Sequence, residues 1–550
     1  MGRLRERARA PEHERVHRPD QRCVRALPRG ARLIHVPRQS TGRLTDAWRT
    51  CVGTGRFDLA LRQDYQESLA LVQREIGFRH IRGHGLLSDQ AGVYRPYEYQ
   101  GTRQVRYAFT YVDQVIDAYL GLGIAPFLEL GFMPSGLACG DQTVFWWRGN
   151  VTPPRSWTGW ADLVKATVAH LVDRYGIDQV RHWPIEVWNE PNLKDFWQGA
   201  DQAAYHRMYE VTAHAVKEVD ASLQVGGPAI SPGNDEWLER FAEFVFDRAV
   251  PIDFISRHAY SSGPAQHVPF GVRQTLAPAS RLLEQFARPR EQLRGTALAD
   301  LPVHITEYNS SYRPDNPIHD TAFHAAYLAP VVTRGGDLVD SFSYWTFCDV
   351  FEEVGIPTSL FHGGFGLLTH RQIKKPTYHL YAFLARMGDQ ILARGDDHLV
   401  TRDTGGRVTI LAWAPVDVTG AAAGPGVDRP DPVARHRVRL SVPVGARPGG
   451  EPPTAAFLLR SSVSEEQGNA WAAWCDMGCP RSPLPRQLDA LREAAEPARS
   501  HRRVPLVDGR AELDLTLGRH EVTLVELTAV TDETPPWDRP RPSGLPAPGD

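Results

Sequence analysis

The chain has 550 residues, 42% hydrophobic and 23% charged, and its 62 Lys and Arg against 65 Asp and Glu give a net charge of −3. That length suits a large domain with an accessory one, and so even a charge balance argues against a dedicated nucleic-acid binder, which needs clustered positive charge. No apolar run reaches the roughly 20 residues of a membrane span, and six cysteines are too few for a disulfide scaffold.

Residues 1–32 carry ten Arg, four acids and three prolines. They read as a disordered extension rather than a nucleic-acid or membrane tail. They hold no apolar core of a secretory signal, so a cytoplasmic location is expected. Eight short apolar runs then read as buried strands, at 47–52, 78–83, 125–132, 184–187, 223–227, 253–258, 303–307 and 340–347. Most gaps between them hold a helical stripe, such as Leu61, Tyr65, Leu69, Val72 and Ile76, or Trp160, Leu163, Val164, Val168 and Leu171. This alternation predicts an α/β fold, a (β/α)8 barrel over residues 33–388 including a leading strand; an open doubly wound sheet is the alternative. From 389 to 530, closely spaced strand candidates at 398–402, 407–412, 435–442, 455–459 and 521–527 predict a β-sandwich accessory domain. Gly- and Pro-rich breaks at 420–432 and 445–453 and a helical insert at 484–495 interrupt it. Residues 531–550 read as a disordered Pro-rich tail. Cys475 and Cys479 lie four apart, but no second Cys or His pair follows to complete a zinc site, and no metal is expected.

In such a barrel the chemistry gathers at the C-terminal ends of the strands. The fourth candidate ends Trp188-Asn189-Glu190-Pro191 and the seventh ends Glu307-Tyr308-Asn309. A carboxylate closing an apolar strand is costly unless it is used or paired. Placed on strands four and seven, Glu190 and Glu307 can face each other across one mouth. Two opposed carboxyls suit glycoside hydrolysis, one protonated to assist the leaving oxygen and one ionised against the oxocarbenium-like carbon. Other rim residues fit a sugar, which needs hydroxyl partners and a flat stacking face. They are Arg82 and His84 after the second strand, Arg257, His258 and Tyr260 on the sixth, and Trp345, Glu352 and Glu353 after the eighth. Phe196 and Trp197 are expected to wall the same pocket.

The runs IRGHGLL, WPIEVWNEPNLKDFW, DFISRHAY, HITEYNSSY and SYWTFCDVFEE resemble the β-xylosidases of glycoside hydrolase family 39 from about Thr50 to Trp413, and more loosely through GNAWAAWCDMG. The resemblance implies a retaining exo-acting β-D-xylosidase that needs no cofactor, with Glu190 as acid/base and Glu307 as nucleophile about 5–5.5 Å apart. It implies sugar-binding roles for His84, Asn189, His258, Tyr260, Trp345, Glu352 and Glu353. Asn189 would hold the 2-hydroxyl, while Tyr260 and His258 would orient Glu307. The expected partner is a carbohydrate, with no nucleic acid and no membrane, and the chain is expected to form a homo-oligomer such as a tetramer. An α-L-iduronidase, or another retaining barrel glycosidase, is the alternative. Glu352 and Glu353 on the pocket floor, with no Lys or Arg in 344–364 to offset them, would disfavour a uronate.

Overall fold

A computed structural model describes residues 32–269, 271–418, 435–445 and 452–530. The terminal segments read as disordered lie outside these residues, Arg32 apart, as do the break at 420–432 and the middle of that at 445–453. Eight parallel strands close into a barrel: β1 (Cys51–Gly53), β2 (His80–Arg82), β3 (Ala125–Leu130), β4 (Ile185–Val187), β5 (Val225–Ile230), β6 (Phe254–Tyr260), β7 (Val303–Asn309) and β8 (Ser341–Tyr344). Each strand lies beside its sequential neighbour, and β8 closes on β1 through the pairing of Tyr344 with Val52.

Helices α1 (Gln63–Glu75), α2 (Thr110–Gly121), α3 (Trp157–Tyr175), α4 (Gln202–Val219), α5 (Glu236–Asp247), α6 (Ser280–Gln292), α7 (Ala322–Arg334) and α8 (Pro376–Leu384) follow the strands in turn. Their apolar stripes make the shell between helices and barrel. On α3, Trp160, Leu163, Val164, Val168 and Leu171 are all buried, at the i, i+3, i+4 spacing of one helix face. Side chains start two of these helices: Ser156 Oγ accepts from the amide of Gly159, and Asp201 from that of Ala204.

The barrel interior is not purely apolar. Arg82 from β2, Glu129 from β3, Glu186 from β4 and Thr306 from β7 point inward and form a buried polar layer. The functional site rests on it.

The accessory domain is a sandwich of a seven-stranded and a three-stranded sheet. Its strands are β9 (Gln390–Arg394), β10 (His398–Arg402), β11 (Val408–Trp413), β12 (His436–Pro443), β13 (Ala455–Val463), β14 (Ala498–Pro505), β15 (Arg510–Leu517) and β16 (Val522–Ala529). Along β15, Ala511, Leu513, Leu515 and Leu517 face the core while the residues between them face outward, the period of two expected for a sheet with one wet face. The leading segment, expected to go with the barrel, joins these sheets instead. Leu33–His35 pairs in parallel with β12, and Gly42–Arg43 pairs with β9. Two helices, α9 (Ala470–Asp476) and α10 (Pro485–Ala495), pack on Leu360, Phe361 and Ile373, behind the loop that follows β8. Among the described residues no helix is long and apolar enough to cross a membrane.

Candidate active site

The C-terminal ends of the strands open into a cavity of about 790 Å³, lined by His84, Phe145, Trp146, Asn189, Glu190, Phe196, Tyr260, Glu307, Trp345 and Glu353, among others. That volume is in the range of sites that enclose small organic ligands.

Glu190 stands just past β4, where the chain turns sharply: its φ is 44°, in the left-handed region, and its amide donates to the carbonyl of Ala229. Such backbone in a non-glycine residue persists only where the surroundings enforce it. Burial, and next the charge of Glu307, hold its carboxyl well above the usual carboxylate range. Glu190 is therefore the proton-bearing partner. Glu307, near the end of β7, is placed as an acceptor: Oε1 receives Arg82 Nη1 at 2.7 Å and Oε2 receives the Tyr260 hydroxyl at 2.7 Å. A carboxylate oxygen of Glu190, one of Glu307 and a ring nitrogen of His258 all lie within 4.8 Å of one another. That proximity belongs with the short carboxyl separation of retaining glycosidases, well under the ~6.5–9.5 Å of inverting ones.

Arg82 organises the floor. It is wholly buried and donates Nε to Glu186 at 2.6 Å, Nη1 to Glu307 and Nη2 to Asn189 Oδ1 at 2.9 Å, with Glu129 3.0 Å from Nη2. Burial opposes its charge, but Glu186, Glu129 and Glu307 outweigh that and raise its pKa. The bond to Asn189 fixes the amide so that its NH2 is the end left to donate. His84 Nδ1 lies 2.6 Å from Glu129, and Nε2 lies 3.6 Å from Glu353 and 3.7 Å from Glu307. Burial would lower its pKa, yet Glu129 foremost raises it to about 10, so His84 is an imidazolium at neutral pH. Its ring stacks on Phe145 and Phe132 and sits 4.9 Å from that of Trp345. Trp345 can lie flat against β1 because Gly53 has no side chain: a Cβ there would be 2.3 Å from the indole.

His84, Asn189, Glu190, Phe196, Tyr260, Glu307, Trp345 and Glu353 are brought together around the cavity. The other three expected site residues do not line the cavity. Trp197 does not wall the pocket: it is fully buried, edge-on to Trp188 and Tyr205, with its indole NH donating to the Asp201 carbonyl. Its neighbour Phe196 takes the wall position, since successive side chains point in different directions. His258 is fully buried behind the acid pair, and its Nδ1 is nearer to Glu190 (2.9 Å) than to Glu307 (3.4 Å). Burial first, then Arg82, His84 and Arg257, lower its pKa well below the ordinary histidine value, so it is neutral and positions Glu190 more than Glu307. Glu352 does not sit on the floor beside Glu353. Arg56 and Arg62 each hold its carboxylate at 2.9 Å, and these cations come from the loop after β1, far away in sequence. Glu353 alone of the two faces the cavity; burial raises its pKa, and His84 opposes the shift.

Sequence reasoning placed Arg82 on the rim without a partner, and it missed Glu129, Glu186, Phe145 and Trp146. Glu129 and Glu186 sit inside apolar strands, and that break in pattern was the available signal. Phe145 and Trp146 lie in a loop with no periodicity to read. Glu190, His258 and Glu307 are close enough to hold a cation, but a protonated Glu190 and the flanking charges of Arg82 and His84 work against one.

Two carboxyls opposed across one cavity of a (β/α)8 barrel, Glu190 held toward its acid form by burial and Glu307 accepting from Arg82 and Tyr260, define a glycoside hydrolase of the two-carboxylate class. The profile for glycosyl hydrolases family 39 matches residues 32–512, and the chain belongs to that family. It is similar to a beta-xylosidase of Geobacillus stearothermophilus, 47% identical over 92% of this chain and 97% of that one. A beta-xylosidase of Caldicellulosiruptor saccharolyticus is 34% identical over 83% of this chain and 89% of its own. The crystal structure of a monomeric beta-xylosidase from Caulobacter crescentus superposes with a TM-score of 0.82 at 34% identity, covering 91% of this chain and 100% of that one.

Proposed function

We propose that the protein is a retaining, exo-acting β-D-xylosidase with Glu307 as nucleophile and Glu190 as acid/base. The observation that carries this reading is the short approach of two carboxyls, one buried against the other and the other accepting from Arg82 and Tyr260. Xylose enters with its anomeric carbon between them. Glu307 attacks that carbon while Glu190 passes its proton to the departing oxygen, leaving a xylosyl ester on Glu307. Glu190, now a carboxylate, takes a proton from water, which displaces Glu307 and releases β-xylose. Asn189 donates to the 2-hydroxyl, Trp345 and Phe196 supply apolar walls, and Glu353 with His84 receives the outer hydroxyls. Tyr260 and Arg82 hold Glu307, and His258 holds Glu190.

The activity named for the relatives supports xylose as the sugar. Charge supports it too: the buried cations Arg82 and His84 are already engaged by Glu129, Glu186 and Glu307, and Arg313 by Asp315, so among the described residues a uronate would meet Glu353 beside cations that are already paired. That disfavours the α-L-iduronidase alternative. A panel of nitrophenyl glycosides, with proton NMR of the first sugar released, tests the reading: β-xylose as first product is expected, and α-xylose would overturn retention. A homo-oligomer such as a tetramer is part of this proposal, checked by light scattering on the full chain against the monomer its Caulobacter relative forms. A cytoplasmic location is checked by cell fractionation.

A further inference from the structure

Ten large hydrophobic side chains are exposed among the described residues, and four of them, Trp146, Tyr312, Val354 and Ile356, stand on three loops framing the mouth of the cavity. Their exposures are 56%, 44%, 59% and 64%. Trp146, Tyr312 and Val354 line the cavity directly. Trp146 and the 353–356 loop form one unit: the Trp146 amide donates to the Glu353 carbonyl at 2.7 Å, and its indole lies 3.9 Å from where a Gly355 Cβ would be. Apolar surface left in water and gathered at one place marks a surface that a ligand covers.

The position of this surface says which part of the substrate covers it. The acid pair, Asn189 and the His84–Glu353 pair lie deeper, where the glycone sits, so the mouth receives the group on the far side of the scissile oxygen. Aromatic rings alone would suit a second sugar, but valine and isoleucine offer hydroxyls no partner. Arg313, a cation in this lining, is already held by Asp315 at 3.0 Å.

We propose that Trp146, Tyr312, Val354 and Ile356 form the aglycone site and select xylosides carrying an extended apolar aglycone over xylo-oligosaccharides. The proposal rests on the β-xylosidase reading and names its substrate class. Methyl, butyl, hexyl and octyl β-D-xylosides, assayed below their micelle concentrations, test it, because their alkanol leaving groups are chemically alike while their apolar length is not. KM should fall with each added methylene, by up to about fourfold while the chain lies on the platform. In Trp146→Ala and in the double variant Val354→Ser with Ile356→Ser, the octyl-to-methyl ratio of kcat/KM should drop at least about tenfold. That ratio is taken within each variant, so a general loss of activity cannot imitate the effect. A flat series in the unaltered protein would overturn the proposal. So would variants that raise KM for xylobiose and keep the octyl-to-methyl ratio, since the platform would then be receiving a second sugar. Failure to cleave any xyloside, methyl included, would remove the β-xylosidase reading and this proposal with it.

Discussion

Replacing Arg82 by Met tests the polar floor and the site it supports together. The guanidinium is wholly buried and sits within 3.0 Å of Glu129, Glu186 and Glu307. Removing one partner of a buried ion pair costs about 3–5 kcal/mol, because a charge is left without compensation. Three carboxylates share this cation, so the upper end applies: about 5 kcal/mol, a large part of the ~5–15 kcal/mol typical of a domain. The loss should depend on pH in a definite direction. Without Arg82 each nearby carboxylate is costlier to keep ionised, and Glu186 is already raised by burial even with the cation present. The gap in urea midpoint between Arg82→Met and the unaltered protein should therefore be widest near neutral pH and narrow as pH falls and Glu186 takes up a proton. Arg82→Lys keeps the charge but loses the fork that reaches several acceptors, so it should recover part of the stability and little of the rate. For activity, Glu307 loses a donor at 2.7 Å, and kcat/KM on nitrophenyl β-D-xyloside should fall by about 10²–10³. A variant within about 1 kcal/mol of the unaltered protein at every pH would refute the view that Arg82 compensates this layer.

Glu307→Ala should abolish turnover of every xyloside, whereas Glu190→Gln should fail on xylobiose yet still be glycosylated by an aryl xyloside with a good leaving group. Equal losses on both substrates in both variants would reverse or void the two roles. Because the pKa of Glu190 is raised by burial and by Glu307, the active acid form is present at low and neutral pH and is lost as pH rises through that elevated value; kcat/KM should show this as its basic limb, absent in Glu190→Gln. The folded pKa of His84 is raised from 6.5 to about 10, so its contribution to stability is complete below 6.5 and fades as pH climbs through about 10. Urea titrations at pH 6 and above pH 9 should show that slope in the unaltered protein and not in His84→Gln. Glu353→Gln should raise KM for xylosides more than Glu352→Gln does, since Arg56 and Arg62 hold the latter carboxylate outside the cavity; the opposite order would return Glu352 to the sugar.

The barrel was readable because its strands are short apolar runs separated by long helical stripes, and all eight appear where the runs stand. Their ends moved by a few residues, as at 47–52, where a 3-10 turn (Ala47–Arg49) precedes β1. The accessory domain was read less fully. β14, with the sequence ARSHRRVP, is an exposed edge strand, and its basic residues both guard the edge and erase the apolar signal. In the site, Glu190 and Glu307 were legible because each ends an apolar strand. The partners of Glu352 were not, because an ion pair across 290 positions leaves no trace in spacing. Trp197 was misplaced for a related reason: adjacent aromatics look alike in sequence, and the turn after β4 alone decides which one meets the cavity.

The parallel pairing of Leu33–His35 with β12 also sets an order of events during synthesis. Leu33 meets Arg439, so this strand, the first among the described residues, waits for a partner made some 400 residues later, roughly 20–80 s at ordinary elongation rates. The barrel can close in that interval, but the segment ahead of it stays unpaired until the last sheet arrives. Any truncation that removes β12 strands that segment as an open edge, and a tag fused just before Leu33 would lie beside the C-terminal sandwich, far from the first turn of the barrel.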